Sequence, residues 1–168
     1  AYLYGYSLVM MGITERVATN VPNPTVTIGR APINQFALPK GLPDASYKDV
    51  VLPSTTTLYA SAFLDLSTEP VILHLPEISD RFFIMQLVDA WTNVSADSPG
   101  TRVDTHEGYY AFTGPDWQGT DADLPPGITK RFAMPTNTMW IIGRVYTTGA
   151  PDDVDTVVNN IFPQFTLT

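Results

Sequence analysis

The chain contains no cysteine, and only 15% of its 168 residues are charged. The lack of cysteine excludes a disulfide framework, a thiolate nucleophile and any zinc or iron–sulfur centre built from cysteines. Nine Lys and Arg residues stand against 17 Asp and Glu, which leaves a formal net charge of −8 at pH 7. This sign of charge is wrong for a surface that follows nucleic-acid phosphates. We therefore expect no nucleic-acid partner.

Long apolar runs are also missing. The longest one, Ala1 to Met11, is interrupted by Gly5 and Ser7. It is shorter than the roughly 20 residues of a membrane-spanning helix, and no basic residues precede it as they would in an intact signal peptide. The sequence therefore predicts no membrane span. Its apolar content is that of a globular protein, and we expect a single domain over residues 1–168.

Helical periodicity occurs near both ends of the chain. At the N-terminal end, apolar residues recur at spacings of three and four: Leu3, Tyr6, Met10, Ile13 and Val17. This spacing predicts an amphipathic helix over residues 1–18, packed against a sheet or against a partner. An apolar stripe after Pro151 predicts a short C-terminal helix that Pro163 kinks or ends.

Between these helices, β-branched and aromatic runs alternate with turns rich in Pro, Gly, Asp and Ser. The helices that βαβ units require between strands are not indicated. We therefore predict a mainly β, jelly-roll-like antiparallel sandwich of about eight strands, with an N-terminal and a short C-terminal helix. The predicted strands are 57–66, 71–75, 81–89, 91–95, 109–113, 128–134 and 138–147, with shorter β-rich pieces from residue 25 onward.

A family resemblance is carried by several segments in a fixed order: Pro32-Ile33-Asn34-Gln35-Phe36, Thr57-Leu58-Tyr59, Arg81-Phe82-Phe83, Asp89-Ala90-Trp91-Thr92, Gly114-Pro115-Asp116-Trp117 and Trp140-Ile141-Ile142-Gly143-Arg144. With them the chain resembles the bacterial domain of unknown function 1254 family, which is usually joined to a companion domain of the 1214 family. The resemblance implies a β-rich, jelly-roll-like domain with flanking helices and no agreed activity. It also implies an exported protein, secreted or periplasmic.

Two departures from the family pattern bear on catalysis. The resemblance implies a His shortly after Asn34-Gln35-Phe36, where Leu38 stands, and an Asn-rich stretch with an Asp before Thr57-Leu58-Tyr59, where Ser54-Thr55-Thr56 stands. Without that imidazole and carboxylate, two groups suited to general acid–base catalysis are lost. We therefore expect a protein that is not an enzyme and that needs no cofactor.

A metal site has one weak candidate. In Asp104-Thr105-His106-Glu107, alternation along an extended segment places Asp104 and His106 on the same side. Catalytic zinc usually has three protein ligands, and no third histidine is present to complete the set. A polar loop is the alternative interpretation, and we predict no metal.

The candidate binding residues are aromatic and basic: Trp91, Arg102, Trp117 and Arg144. Asp89 and Trp91 alternate along one predicted strand, and an aromatic wall beside arginines suits a sugar or small metabolite. In the structural interpretation, the two arginines instead pair with Asp89 or Asp65 to pin loops to the sheet. Asp65 and Asp89 are also candidate carboxylates for hydrolysis.

Three functions are therefore compatible with the sequence. The leading hypothesis is a non-catalytic structural or assembly subunit of an exported protein, because the surface carries little charge and a β-sandwich can add strands at a neighbour's edge. Its partner would be a second copy of the chain or a companion β-domain on another chain. The alternatives are a carbohydrate or small-metabolite binding module, and a hydrolase that uses Asp carboxylates.

Overall fold

The computed structural model describes residues 2–25, 29–44, 46–47 and 53–168. Within them the chain forms a long N-terminal helix, a set of short strands and a C-terminal helical segment. In chain order the elements are α1 (Tyr2–Thr19), β1 (Thr57–Asp65), β2 (Val71–Leu75), β3 (Phe83–Asp89), β4 (Gly108–Thr113), β5 (Ile128–Ala133), β6 (Thr138–Tyr146), α2 (Pro151–Thr156) and β7 (Thr166–Leu167). No helix in these residues is long and apolar enough to span a membrane.

The strands form two separate sheets. Sheet A has the order β1-β6-β3 and sheet B the order β5-β4-β2-β7. All pairs are antiparallel except β4 and β5, which run parallel. The predicted sandwich is antiparallel, and the structure differs from it at this pair. The connection over residues 114–127 is long enough to return the chain to the end of the sheet where β4 begins, so that β5 runs parallel to β4.

Alternation along the strands builds the core between the two sheets. In β2, Val71, Leu73 and Leu75 are buried, whereas Ile72 and His74 are only half-buried. Burial therefore alternates with a period of two residues, as expected for a strand that packs against the core mainly with one face. The inner faces of both sheets share one apolar cluster, whose largest fully buried members include Leu58, Leu64, Phe83, Met85, Leu87, Phe112, Met139 and Ile141.

The C-terminal helical segment completes this cluster. After α2 the backbone continues through a π-helical turn, Val157–Ile161, and a 3-10 turn that includes Pro163 and ends at Gln164. Val157 and Phe162 are buried in the core cluster. The predicted C-terminal helix and its end near Pro163 are confirmed.

Six of the predicted strands are found within two residues of their predicted bounds. The predicted strand 91–95 is wrong: the chain turns after Asp89, and only Val94 makes an isolated bridge, to Val88. The β-rich pieces predicted from residue 25 onward fall partly outside the described residues. In the described part of 29–56, Ala37 makes an isolated bridge with Ser61 of β1.

Asp153 joins the end of β6 to the start of α2. Its Oδ2 accepts hydrogen bonds from the Thr148 backbone N–H and the Thr147 hydroxyl, each at 2.8 Å. Its Oδ1 accepts a hydrogen bond from Arg81 Nη1 at 3.0 Å. The Thr148 N–H, the Thr147 hydroxyl and Arg81 together lower the pKa of Asp153 to about 2. The ionised carboxylate is therefore a structural element of this corner.

We expect Asp153→Asn to destabilise the protein in a pH-dependent way. Because the folded-state pKa lies below the ordinary value of 3.8, the stabilisation by Asp153 is fully present above that value and is lost as the pH falls toward 2. The urea midpoint of the variant should lie below that of the wild type at neutral pH, and the gap should narrow in acid. A gap that stays constant down to the lowest accessible pH would contradict this account.

Gly143 lies at the centre of sheet A, where no side chain fits. A Cβ at this position would lie 2.7 Å from Met85 Sδ and 2.8 Å from the Ala60 carbonyl oxygen. We expect Gly143→Ala to cost about 1–3 kcal/mol of unfolding free energy, the usual range for overpacking a core. At Gly41 an added Cβ meets nothing within 4 Å, so Gly41→Ala is the matched control and should change chemical-denaturation midpoints little.

Candidate functional site

The exposed side of α1 is the most unusual surface of the described residues. Residues 2–13 of this helix include no charged side chain, and Leu3 is 91% exposed. The exposed large apolar residues of α1 are Tyr2, Leu3, Tyr4, Tyr6, Leu8, Val9, Met10, Ile13 and Val17. A helix on the surface of a globular protein ordinarily turns such residues toward the core.

The helix packs on sheet A through a different side. Met11 and Ala18, seven residues apart and so on one face of the helix, are its buried residues. They form a small apolar cluster with Phe63 and Val88 on the outer face of sheet A. The helix itself is confirmed, but packing of the predicted stripe against the sheet is wrong. The stripe is centred roughly a third of a turn from the buried side, at 100° per residue.

A cleft lies between α1 and the outer face of sheet A. Its volume is about 370 Å³ and its lining is mostly apolar. Ile13 and Val17 of α1 form one wall, and residues of the chain before β1 form the opposite wall. The floor is formed by Tyr59, Ser61, Trp140 and Ile142.

The cleft floor is held in place by strand register and by one partly buried hydrogen bond. Ser61 of β1 lies directly opposite Ile142 of β6. The indole Nε1–H of Trp140 donates to Ser61 Oγ at 2.9 Å. The same indole stacks on Phe63 with 5.0 Å between the ring centroids. The sequence did not single out Tyr59, Ser61 or Ile142, although the alternation of Tyr59, Ser61 and Phe63 along β1 is a signal that they share a face.

Arg144 lies on this same face, but it does not form the predicted ion pair. Its Nη1 donates to Gln86 Oε1 at 2.7 Å, and its guanidinium lies 5.6 Å from the centroid of the Tyr59 ring. Among the described residues it has no carboxylate partner. The pairing of Arg144 with Asp89 or Asp65 is therefore wrong.

The other predicted binding residues are distributed over the surface. Arg102 donates to the Ala96 carbonyl oxygen and so closes its own loop. Trp117 packs near Arg131 of sheet B, on the opposite sheet from Arg144. Trp91 lies in the turn after Asp89, whose partner Met139 is five residues, or about 17 Å at 3.4 Å per residue, from Arg144 along β6. The structure does not bring Trp91, Arg102, Trp117 and Arg144 together.

Asp89 is a turn-forming residue. Its Oδ1 accepts the backbone N–H groups of Trp91 and Asn93, each at 2.8 Å, and its Oδ2 accepts Asn93 Nδ2 at 3.0 Å. Thr92 completes the turn with a φ of 67°. These bonds end β3 at Asp89, which is why Trp91 does not continue the strand.

The two candidate catalytic carboxylates do not converge. Asp65 pairs with Thr138 and Asp89 pairs with Met139, so the two aspartates lie on either side of β6 and belong to opposite faces of sheet A. Asp65 is exposed and accepts the Ser67 N–H at 2.9 Å. Burial of Glu15 on α1, with a smaller contribution from Asp65, raises the pKa of Glu15.

The two histidines lie near several carboxylates at one end of sheet B. His106 Nε2 is 3.6 Å from Asp104 Oδ2, and both side chains are strongly exposed. His74 Nδ1 donates to the Gln164 carbonyl oxygen at 2.9 Å, which ties β2 to the C-terminal segment. In the described part of the chain, no group of three or more His, Asp or Glu side chains is arranged to hold a metal ion.

The fold and surface define a class of protein: a β-rich domain of two stacked sheets, with a helix across the outer face of one sheet and helical turns closing the core. Within this class, the family profile of DUF1254, a protein family of unknown function, matches residues 33–168. The chain belongs to the DUF1254 family. The matched residues include both sheets and the C-terminal segment but not α1.

A solved structure has the same fold. The chain is similar to the VPA0106 protein from Vibrio parahaemolyticus, with a TM-score of 0.69 and 23% sequence identity. The similarity covers 99% of this chain and 36% of that chain, so this chain spans about a third of the length of the protein that it matches. Comparison with curated proteins found no match.

Replacing Asp89 tests whether this carboxylate is structural. We expect Asp89→Asn to lower the unfolding free energy by about 1–3 kcal/mol, because a buried acceptor of three hydrogen bonds is replaced by an amide that places a donor beside Asn93. Asp65→Asn, which changes an exposed carboxylate with one such bond, is the matched control. Equal urea midpoints for the two variants would contradict a structural role for Asp89.

Proposed function

We propose that this chain is a non-catalytic assembly module that associates through the exposed apolar face of α1. The observation that carries the proposal is the position of Leu3, Tyr6, Met10, Ile13 and Val17 on the solvent side of a helix whose inner side is already packed. Apolar area of this kind is removed from water when a partner covers it. The whole chain, 1–168, would act as one unit in this role.

The size of the face supports a specific interface. An aromatic side chain presents about 150–250 Å² when fully exposed. With its tyrosines and aliphatic residues together, α1 exposes on the order of several hundred Å² of apolar surface, comparable with the largest apolar patches of ordinary monomers. A standard interface buries about 800 Å² on each partner, and α1 would contribute most of it.

The partner that we favour is a second copy of this chain. The only charged residues of α1, Glu15 and Arg16, lie in its last turns, so two copies of the apolar face can meet without bringing like charges together. A companion β-domain on another chain is the alternative partner. Export to the periplasm or out of the cell, implied by the family resemblance, remains part of the proposal.

Light scattering over a range of protein concentrations tests the assembly. We expect a mass of twice the 18.5 kDa of one chain, and we expect the dimer to withstand added salt because screening affects charge pairs and not apolar contacts. Val9→Glu, at a residue that is 59% exposed, should shift the equilibrium to monomer by tenfold or more, since burying an unpaired carboxylate is costly.

Val103→Glu is the matched control, because Val103 is also an exposed valine but lies in a short 3-10 turn, Thr101–Val103, far from α1 in sequence. Circular dichroism melts establish that both variants fold. A wild-type protein that stays monomeric at the highest soluble concentration would overturn self-association. So would a Val9→Glu variant that dissociates no more than Val103→Glu.

A further inference from the structure

We infer that the cleft between α1 and sheet A binds a small, flat, apolar molecule that carries a carbonyl-type oxygen, and that the hydroxyl groups of Tyr59 and Ser61 donate to that oxygen. This inference does not require the proposed association through α1, because the two donors lie on a strand of the cleft floor. The two proposals share Ile13 and Val17, which form a wall of the cleft and also belong to the exposed helix face.

The hydrogen-bond inventory of the cleft floor supports this inference. A hydroxyl group donates one hydrogen bond and accepts up to two. Ser61 Oγ accepts from Trp140 Nε1–H at 2.9 Å, and Tyr59 Oη accepts from the Ser54 N–H at 3.2 Å. Neither hydroxyl hydrogen has an acceptor among the described residues. By contrast, the Thr14 hydroxyl, also on the cleft wall, donates to the Met10 carbonyl oxygen at 2.8 Å.

The two available donors come from the same face of one strand. Tyr59 and Ser61 are two residues apart on β1, with their Cα atoms about 7 Å apart along the strand. Ser61 is only 6% exposed, and it lines the cleft. A buried donor without an acceptor costs free energy, and a ligand oxygen that accepts from it removes that cost.

The remaining surface of the cleft indicates the shape and polarity of the rest of the ligand. The Trp140 indole, Ile142 and Val17 present aromatic and aliphatic surface, which suits a planar apolar body. The volume of about 370 Å³ falls in the range of small-molecule pockets, which are mostly apolar with a few directed polar groups. Arg144, next to Tyr59 and without a carboxylate partner in the described residues, places positive charge near the oxygen.

Acetophenone and ethylbenzene are a matched pair of probes, because they share the aromatic ring and chain length and differ by the carbonyl oxygen. Their binding can be followed through the indole N–H signals in a two-dimensional ¹H–¹⁵N spectrum. The signal of Trp140 reports on the cleft, while those of Trp91 and Trp117 are internal controls. We expect acetophenone to shift the Trp140 signal saturably and ethylbenzene to bind roughly tenfold more weakly, the effect of one or two lost hydrogen bonds.

Variants test the two donors separately. Tyr59→Phe removes one hydroxyl and keeps the ring, and we expect it to weaken acetophenone binding roughly two- to tenfold while ethylbenzene binding stays unchanged. Tyr109→Phe, on an exposed residue of sheet B, is the matched control and should change neither. Ser61→Ala, followed through the methyl signals of Ile142 because it alters the Trp140 contact, should weaken acetophenone binding by a similar factor.

Three results would overturn the inference. The first is the absence of a saturable change at Trp140 with acetophenone. The second is equal binding of the two probes to the wild type, which would mean that the hydroxyl groups recognise nothing. The third is binding that occurs only in the Val9→Glu variant, which would assign the cleft to a partner chain. A monomeric wild type would overturn the proposed assembly but leaves the probe experiment unchanged.

Discussion

Sheet A is apolar across its inner face and over part of its outer face, and the need to remove this apolar area from water governs how the rest of the chain is arranged. Its inner face packs on sheet B in one continuous cluster. Its outer face presents Phe63, Val88, Trp140 and Ile142. The helix α1 packs against this patch through Met11 and Ala18, and residues before β1 border the cleft beside it. The free energy gained by burying apolar surface is proportional to the buried area and does not depend on direction. The helix therefore packs with the side that fits the sheet most closely. Ala18 and Met11 provide that fit.

Both candidate sites follow from this incomplete cover. α1 packs near Phe63 and Val88, at one end of the outer face, so the neighbouring part of the sheet above Ser61 remains an open cleft. Turning Met11 and Ala18 inward also turns the predicted apolar stripe outward. A helix with one apolar face could cover the sheet with that face and expose only polar residues to solvent. By contrast, α1 is apolar over most of its circumference. Such a helix can bury one side on its own domain and the other on a partner.

Two kinds of polar side chain have different roles in this protein: carboxylates that stabilise turns, and hydroxyl groups that line the cleft. Asp89 and Asp153 accept hydrogen bonds from turn and helix-start N–H groups, and they stabilise corners of the fold. The lowered pKa of Asp153, about 2, makes its carboxylate a poor base near neutral pH. Tyr59 and Ser61 accept hydrogen bonds but donate none within the described residues. The binding that we infer therefore uses neutral hydroxyl groups beside an aromatic floor, and not Asp89 or Asp153.

The sequence predicted the helices at both ends and most strands closely, because periods of 3.6 and 2.0 are set by neighbouring residues. It did not predict the turn at Asp89, where a side-chain carboxylate outcompetes strand pairing for the N–H groups of Trp91 and Asn93. Nor could it show which side of α1 is buried, that Arg144 lies beside Tyr59, or that Asp65 and Asp89 face opposite ways. Those arrangements depend on the free energy of packing between segments that are distant in the chain. The pattern of residues within one segment does not specify which distant segment it packs against.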